Sequence, residues 1–133
     1  MNLRQRESLQ AMLVDDEPSI LQFAGIVLQR EGFVTLPACS KAEALRLAEA
    51  TPGRIDVLVT DVNLTDGDGI ELACALRRKR PDIAVLVISG LNSYEPRAAA
   101  NGCLFLAKPF TPSKLIERVR ALQYAYTVQR HCA

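Results

Sequence analysis

Asp15, Asp16, Asp61, Ser89 and Lys108 are set along the sequence so that each follows a short apolar run. Ala11 to Val14 runs into the two adjacent aspartates, Val57 to Val59 leads to Asp61, Ile83 to Ile88 ends at Ser89, and Cys103 to Ala107 ends at Lys108. If these runs are strands of one parallel sheet, their C-terminal ends open on a single edge, where open α/β sheets bind their ligands. Three carboxylates, a hydroxyl and an ammonium then converge on one crevice. A strand end that meets water explains any one of these residues, but it explains the set poorly. Two like charges about 4 Å apart repel by roughly 4 kcal/mol at an effective dielectric near 20, and Lys108 alone does not balance three acids. Hard oxygen ligands of this kind call for a divalent ion of the Mg²⁺ type, with Mn²⁺ as an alternative, which keeps several waters and partners readily with phosphate.

The elements that must position these groups alternate in type. Pro18 opens a helix whose apolar residues Ile20, Leu21, Phe23, Ala24, Val27 and Leu28 recur at helical spacing, and Gly32 stops it. A second strand starts at Phe33 and runs to Leu36, and Ser40 with Glu43 reads as a capping box for a helix reaching Ala50. After the third strand, a loop from Asn63 to Gly69 precedes a helix marked by Ile70, Leu72, Ala73 and Leu76. The unbroken run Ile83 to Ile88 has the character of a strand covered on both faces. A short helix from about Glu95 to Ala100 leads to the fifth strand, and Thr111 caps a last helix with Pro112 in its first turn. Five β-α units in succession predict an α/β fold, a parallel sheet with helices on both faces.

The 133 residues are enough for one domain with its own core. Sixteen Lys and Arg against fifteen Asp and Glu leave a net charge of +1, so no overall field draws the chain to nucleic acid or lipid. Its longest apolar run is six residues, far short of the roughly 20 that span a bilayer. A polar N-terminus without a signal-type stretch predicts a cytoplasmic location. The four cysteines, at 39, 74, 103 and 132, form no C-x-x-C pair. The first three are expected to be small core residues in a reducing compartment. The cluster Arg77, Arg78, Lys79, Arg80 falls at a helix C-terminus and is read as a solvated helix end rather than a nucleic-acid patch.

Four motifs occur in order, each at a strand end: Leu13-Val14-Asp15-Asp16-Glu17, Val59-Thr60-Asp61 followed by Gly67 and Gly69, Val87-Ile88-Ser89-Gly90, and Lys108-Pro109-Phe110. On these the chain resembles the receiver domain of two-component response regulators, over roughly residues 10–122, most closely in the style of receivers attached to hybrid histidine kinases. The resemblance implies a flavodoxin-like (βα)5 domain with strand order 2-1-3-4-5, over 10–123, between an N-terminal extension 1–9 and a helix extension or tail 124–133. It implies that Asp61 accepts a phosphoryl group from the phosphohistidine of a sensor histidine kinase or histidine phosphotransfer protein. The chain would then catalyse its own phosphorylation and autodephosphorylation, and switch conformation or relay the phosphate. Asp16, Asp61 and the backbone carbonyl of Asn63 would hold Mg²⁺, with Asp15 acting largely through water. Lys108 would pair with Asp61 and then with the phosphoryl group, Ser89 would hydrogen-bond another phosphoryl oxygen, and Gly90 would leave the approach clear. The Lys108–Pro109 bond is expected to be cis. The partners implied are the kinase, an unidentified downstream protein and a second copy on phosphorylation, with no direct nucleic acid or membrane contact.

This sequence departs from the family pattern at three places. Phe105 stands where Tyr is common, and is either a plain core aromatic or the residue that turns inward behind Ser89. Thr65 replaces a frequent Pro, which predicts a looser loop. Nineteen positions separate Ser89 from Lys108, short by about one helical turn, so the fourth helix is expected to be shortened. Other classes fit the residues less well. A pseudo-receiver scaffold that uses no phosphate is opposed by Asp16, Asp61, Ser89 and Lys108. An aspartyl phosphatase wants two first-strand aspartates one residue apart, whereas Asp15 and Asp16 are adjacent. A flavin carrier lacks a phosphate-cradling loop after strand one.

Overall fold

Short apolar runs that no polar residue interrupts are best buried between two layers of helices, and the chain is built that way. The computed structural model describes residues 8–132, with side chains through residue 123. The elements are β1 (Gln10–Val14), α1 (Pro18–Arg30), β2 (Val34–Ala38), α2 (Lys41–Ala50), β3 (Val57–Asp61), β4 (Asn63–Leu64), β5 (Gly67–Asp68), α3 (Gly69–Lys79), β6 (Ala84–Ser89), α4 (Glu95–Ala100), β7 (Leu104–Ala107) and α5 (Pro112–Cys132). Five strands pair in parallel in the order β2-β1-β3-β6-β7, while β4 and β5 form a separate two-stranded antiparallel hairpin. With that hairpin set aside, the order is the expected 2-1-3-4-5. The expected N-terminal extension lies mostly outside the described residues, as does the side chain of Cys132. The tail continues α5 as backbone helix.

Alternate side chains of β1, β3, β6 and β7 feed two cores. Met12, Val14, Leu58, Val85, Val87 and Phe105 pack with residues of α2, α3 and α4. Leu13, Val57, Val59, Leu86, Ile88 and Leu106 pack with residues of α1 and α5. The alternation holds the register, because a slip of one residue would exchange the two faces. Among the described residues, no helix is long and apolar enough to cross a membrane.

The local signals act where they stand in the sequence. Pro18 occupies the first turn of α1, and the Ser40 hydroxyl accepts from the Glu43 N–H at 3.0 Å. Glu43 reaches back to the N–H of Cys39, not Ser40, so the capping box closes one residue early. Thr111 accepts from the Lys114 N–H at 3.1 Å. α4 has only six residues, after a 3-10 turn at Asn92–Tyr94, with Pro96 in its first turn.

Two expectations need correction. Cys39 is exposed and Cys74 half-buried, and only Cys103 of the three is a core residue. Cys39 follows β2, an edge strand, in the bend before α2, and Cys74 lies on the flank of α3 that faces Asn101. The basic cluster is more than a solvated end. Arg80 donates to the carbonyls of Ala48, Thr51 and Gly53, which closes the C-terminus of α2, and Arg77 donates to the carbonyls of Asn101 and Gly102 beyond α4. Ala48 lies in the last turn of α2, so the Arg80 guanidinium serves one helix-end carbonyl and two just beyond it.

Candidate functional site

The parallel pairing brings the polar strand ends to one edge, as the topology requires. Asp15, Asp16 and Asp61 each present a carboxylate oxygen within 4.8 Å of the others. Asp15 and Asp61 are buried, and Asp16 is the most open of the three. Lys108 reaches across from the loop after β7, its Nζ lying 3.1 Å from Asp15 Oδ2, 3.3 Å from Asp61 Oδ2 and 3.4 Å from Glu17 Oε1. The Lys108–Pro109 peptide is cis, as expected. Asp15 is further fixed by the Glu17 N–H, which donates to its Oδ1 at 2.9 Å. Ser89 is almost fully buried at the end of β6 and accepts from the Leu91 N–H at 3.0 Å. Asn63 is exposed, and its N–H approaches Asp61 Oδ1 at 3.4 Å. Phe105 is buried in the core shared with α2, α3 and α4. A Cβ on Gly90 would meet no atom within 4 Å.

Backbone closeness sets the position of Asp61. The Gly69 N–H donates to the Val62 carbonyl at 2.7 Å, which brings the start of α3 against the end of β3. A Cβ on Gly69 would fall inside contact distance of the Asp61 carbonyl oxygen and 2.9 Å from Thr60 Oγ1. Asp68 caps the same helix, its Oδ1 accepting from the N–H groups of Ile70 and Glu71, while its Oδ2 takes the Arg97 guanidinium at 2.6 Å. Burial would raise the Asp68 carboxyl, but the Arg97 hydrogen bond and the two backbone donors outweigh it and hold it below the usual range.

Burial and neighbouring charge both act on the acid and the amine of the site. Burial raises the Asp61 carboxyl, Lys108 pulls it down, Asp15 pushes it up, and the balance lies above the ordinary value. Burial would lower Lys108, yet its contacts with Asp15 and Asp61 outweigh that and raise it. The causes differ: burial foremost holds the proton on Asp61, with Asp15 adding to it, whereas the surrounding carboxylates hold the proton on Lys108. Lys108→Met, which keeps most of the stem and removes the charge, is therefore expected to cost about 2–3 kcal/mol of stability, by chemical denaturation at neutral pH with EDTA present. A raised carboxyl destabilises the fold above its own pKa and ceases to do so as pH falls through it. The deficit of the variant should accordingly shrink on acidification, and a deficit independent of pH would show that lost packing, not lost charge, is responsible.

Sequence reasoning missed three groups. Glu17 is a third partner of Lys108, and its place in the Asp-Asp-Glu run was the available signal. Tyr94 Oη donates to Asn63 Oδ1 at 3.2 Å, and with the Arg97–Asp68 pair it ties the α4 region to the hairpin. Nothing in the sequence spacing announces either contact. Thr65 does not loosen its loop, contrary to expectation. Its hydroxyl donates to Asp16 Oδ2 at 2.7 Å, and the adjacent Asp66 accepts from the N–H groups of Lys41 and Ala42 at 2.8 and 2.9 Å.

Known proteins resemble the chain in sequence and in fold. A family model described as the response regulator receiver domain matches residues 11–120. The transcriptional regulatory protein PrrA of Mycobacterium tuberculosis is 36% identical over 118 residues, covering 86% of this chain and 50% of PrrA. The sensor kinase CckA of Brucella abortus is 31% identical over 118 residues, covering 86% of this chain and 12% of CckA. The chain thus spans half or less of these curated relatives. Since PrrA is the more similar of the two, no special likeness to sensor-kinase receivers is needed. The structure of the response regulator TrrA of Thermotoga maritima, in complex with Mg²⁺ and BeF, superposes with a TM-score of 0.76 at 26% identity, covering 86% of this chain and 98% of TrrA. With the family match across most of its length and the acidic cluster at the matching sheet edge, the chain belongs to the response regulator receiver domains of two-component signalling.

Proposed function

We propose that Asp61 is the phospho-acceptor and that Asp15, Asp16 and the backbone carbonyl of Asn63 join it in holding Mg²⁺. The observation that carries this reading is the meeting of three carboxylate oxygens within 4.8 Å beside a single ammonium. The donor set fits such an ion: the oxygens are hard, the acids outnumber the single ammonium, and Asp16 is open to solvent. The complex of TrrA with Mg²⁺ and BeF supports the assignment. When bound, the cation screens the approach of an anionic donor and stabilises charge on the transferred oxygens.

The chain's own residues do the rest. A carboxylate oxygen of Asp61 attacks phosphorus, the bond from phosphorus to the donor's imidazole nitrogen breaks, and that nitrogen leaves with the electron pair. Lys108 passes from Asp61 to a phosphoryl oxygen, and the Ser89 hydroxyl turns from the Leu91 N–H to donate to another. Phe105, already packed inward, fills the space behind Ser89. The donor is a phosphohistidine of a kinase or phosphotransfer protein, and the reaction belongs in the cytoplasm. The output passes to a protein partner, with pairing of two phosphorylated copies as one form of it.

Acetyl phosphate tests the reading without the natural kinase. Intact-mass measurement of the full chain should show one added phosphoryl group with Mg²⁺ and none with EDTA. No gain at any Mg²⁺ concentration would favour a scaffold that uses no phosphate.

A further inference from the structure

Asp16 is the most open of the three acids and has no bond to Lys108 among those that hold Asp15 and Asp61. Its partner is Thr65, whose hydroxyl donates at 2.7 Å. Charge-assisted O–H···O⁻ bonds take this length. Thr65 is itself held in place. With Asp66 it forms the turn between β4 and β5, and the Asp66 carboxylate accepts the Lys41 and Ala42 N–H groups of the first turn of α2. Those two backbone donors hold Asp66 below the usual carboxylate range. The two turn residues therefore reach in opposite directions, one to the acid cluster and one to a helix that carries no acid of that cluster.

We propose that Thr65 is a positioning residue for the divalent cation: it fixes the carboxylate of Asp16 toward Asp15 and Asp61, using α2 as its anchor. The inference rests on the cation site proposed above. A solvent-facing carboxylate would otherwise rotate among conformers, most of which point away from the other two acids. The hydroxyl donates to one oxygen and leaves the other free to ligate. Partners that orient a metal ligand in this way commonly govern affinity for the metal.

Isothermal titration of the full chain with Mg²⁺ provides the test, with no phosphodonor present. Thr65→Val, similar in shape but without the hydroxyl, should bind Mg²⁺ about three- to tenfold more weakly, the range expected for loss of one orienting hydrogen bond. Thr65→Ser, which restores the hydroxyl, should bind within about twofold of wild type. A merely structural role would not follow the hydroxyl in this manner. Equal or tighter binding by a folded Thr65→Val overturns the inference while leaving the cation site intact, as does equally weakened binding by both variants. If Thr65→Val fails to fold, the titration of Thr65→Ser decides alone, and weakening beyond about twofold refutes the proposal. Absence of Mg²⁺ binding in the wild type would overturn the site itself, and this inference with it.

Discussion

Asp61→Asn should take up no phosphoryl group from acetyl phosphate under conditions in which the wild type takes up one. The replacement is nearly isosteric, so the buried space at the end of β3 stays filled and the 3.4 Å approach of the Asn63 N–H still has an oxygen to meet. What disappears is the anionic oxygen that attacks phosphorus, and an amide is no substitute for it. Effects on folding should run the other way. Removing one carboxylate from a site where a single ammonium serves Asp15, Glu17 and Asp61 relieves repulsion, so the variant should be no less stable than wild type in EDTA. Loss of phosphorylation combined with retained stability separates a chemical role from a structural one. A phosphoryl gain in both proteins would place the acceptor elsewhere.

Gly69→Ala should disable the same reaction from the backbone side. Helix propensity alone favours the change by about 1 kcal/mol, since Gly69 begins α3 and Ala is the better helix former. Space opposes it. The added methyl would overlap the Asp61 carbonyl oxygen and crowd Thr60 Oγ1, and neither is the flexible tip of a long side chain. Relief requires α3 to retreat from β3, which strains the bond from the Gly69 N–H to the Val62 carbonyl. The steric term wins, with a net loss of about 2–3 kcal/mol by chemical denaturation. A shift of about 1 Å in the acceptor would slow phosphorylation on the order of 100-fold. A variant that folds and phosphorylates at the wild-type rate would show that the approach of α3 does not place Asp61.

Much of this was legible in the residues because it depends on periodicity and termination. The apolar runs mark the strands, their polar last residues mark the edge, and the parallel sheet then leaves Asp15, Asp61, Ser89 and Lys108 little choice of neighbourhood. The nineteen positions from Ser89 to Lys108 likewise leave little room for α4, which has six residues. The rest depends on pairings between elements that sequence spacing does not encode. Thr65 meets Asp16 across 49 positions, and Arg80 meets Ala48 across 32. Each side chain has several partners within reach, and only the assembled fold selects one. The hairpin β4–β5 escaped notice because two residues a side are too few for any alternation to register. Cys39 misled through composition, since apolar neighbours in sequence do not make an apolar environment beside an edge strand.

The brevity of α4 has a consequence for the face it presents. It buries one side chain of its own, Ala98, and Tyr94, in the turn before it, packs against the same core. Two of its polar ties end on the hairpin beside Asp61, Arg97 on Asp68 and, through the preceding turn, Tyr94 on Asn63, while Arg77 of α3 holds the carbonyls just beyond its C-terminus. A six-residue helix held this way is joined to the hairpin at its start and to α3 at its end. Reorienting Asn63 or Asp68 should therefore be felt at α4 through two side-chain contacts, by a route that runs beside the core contact of Ala98.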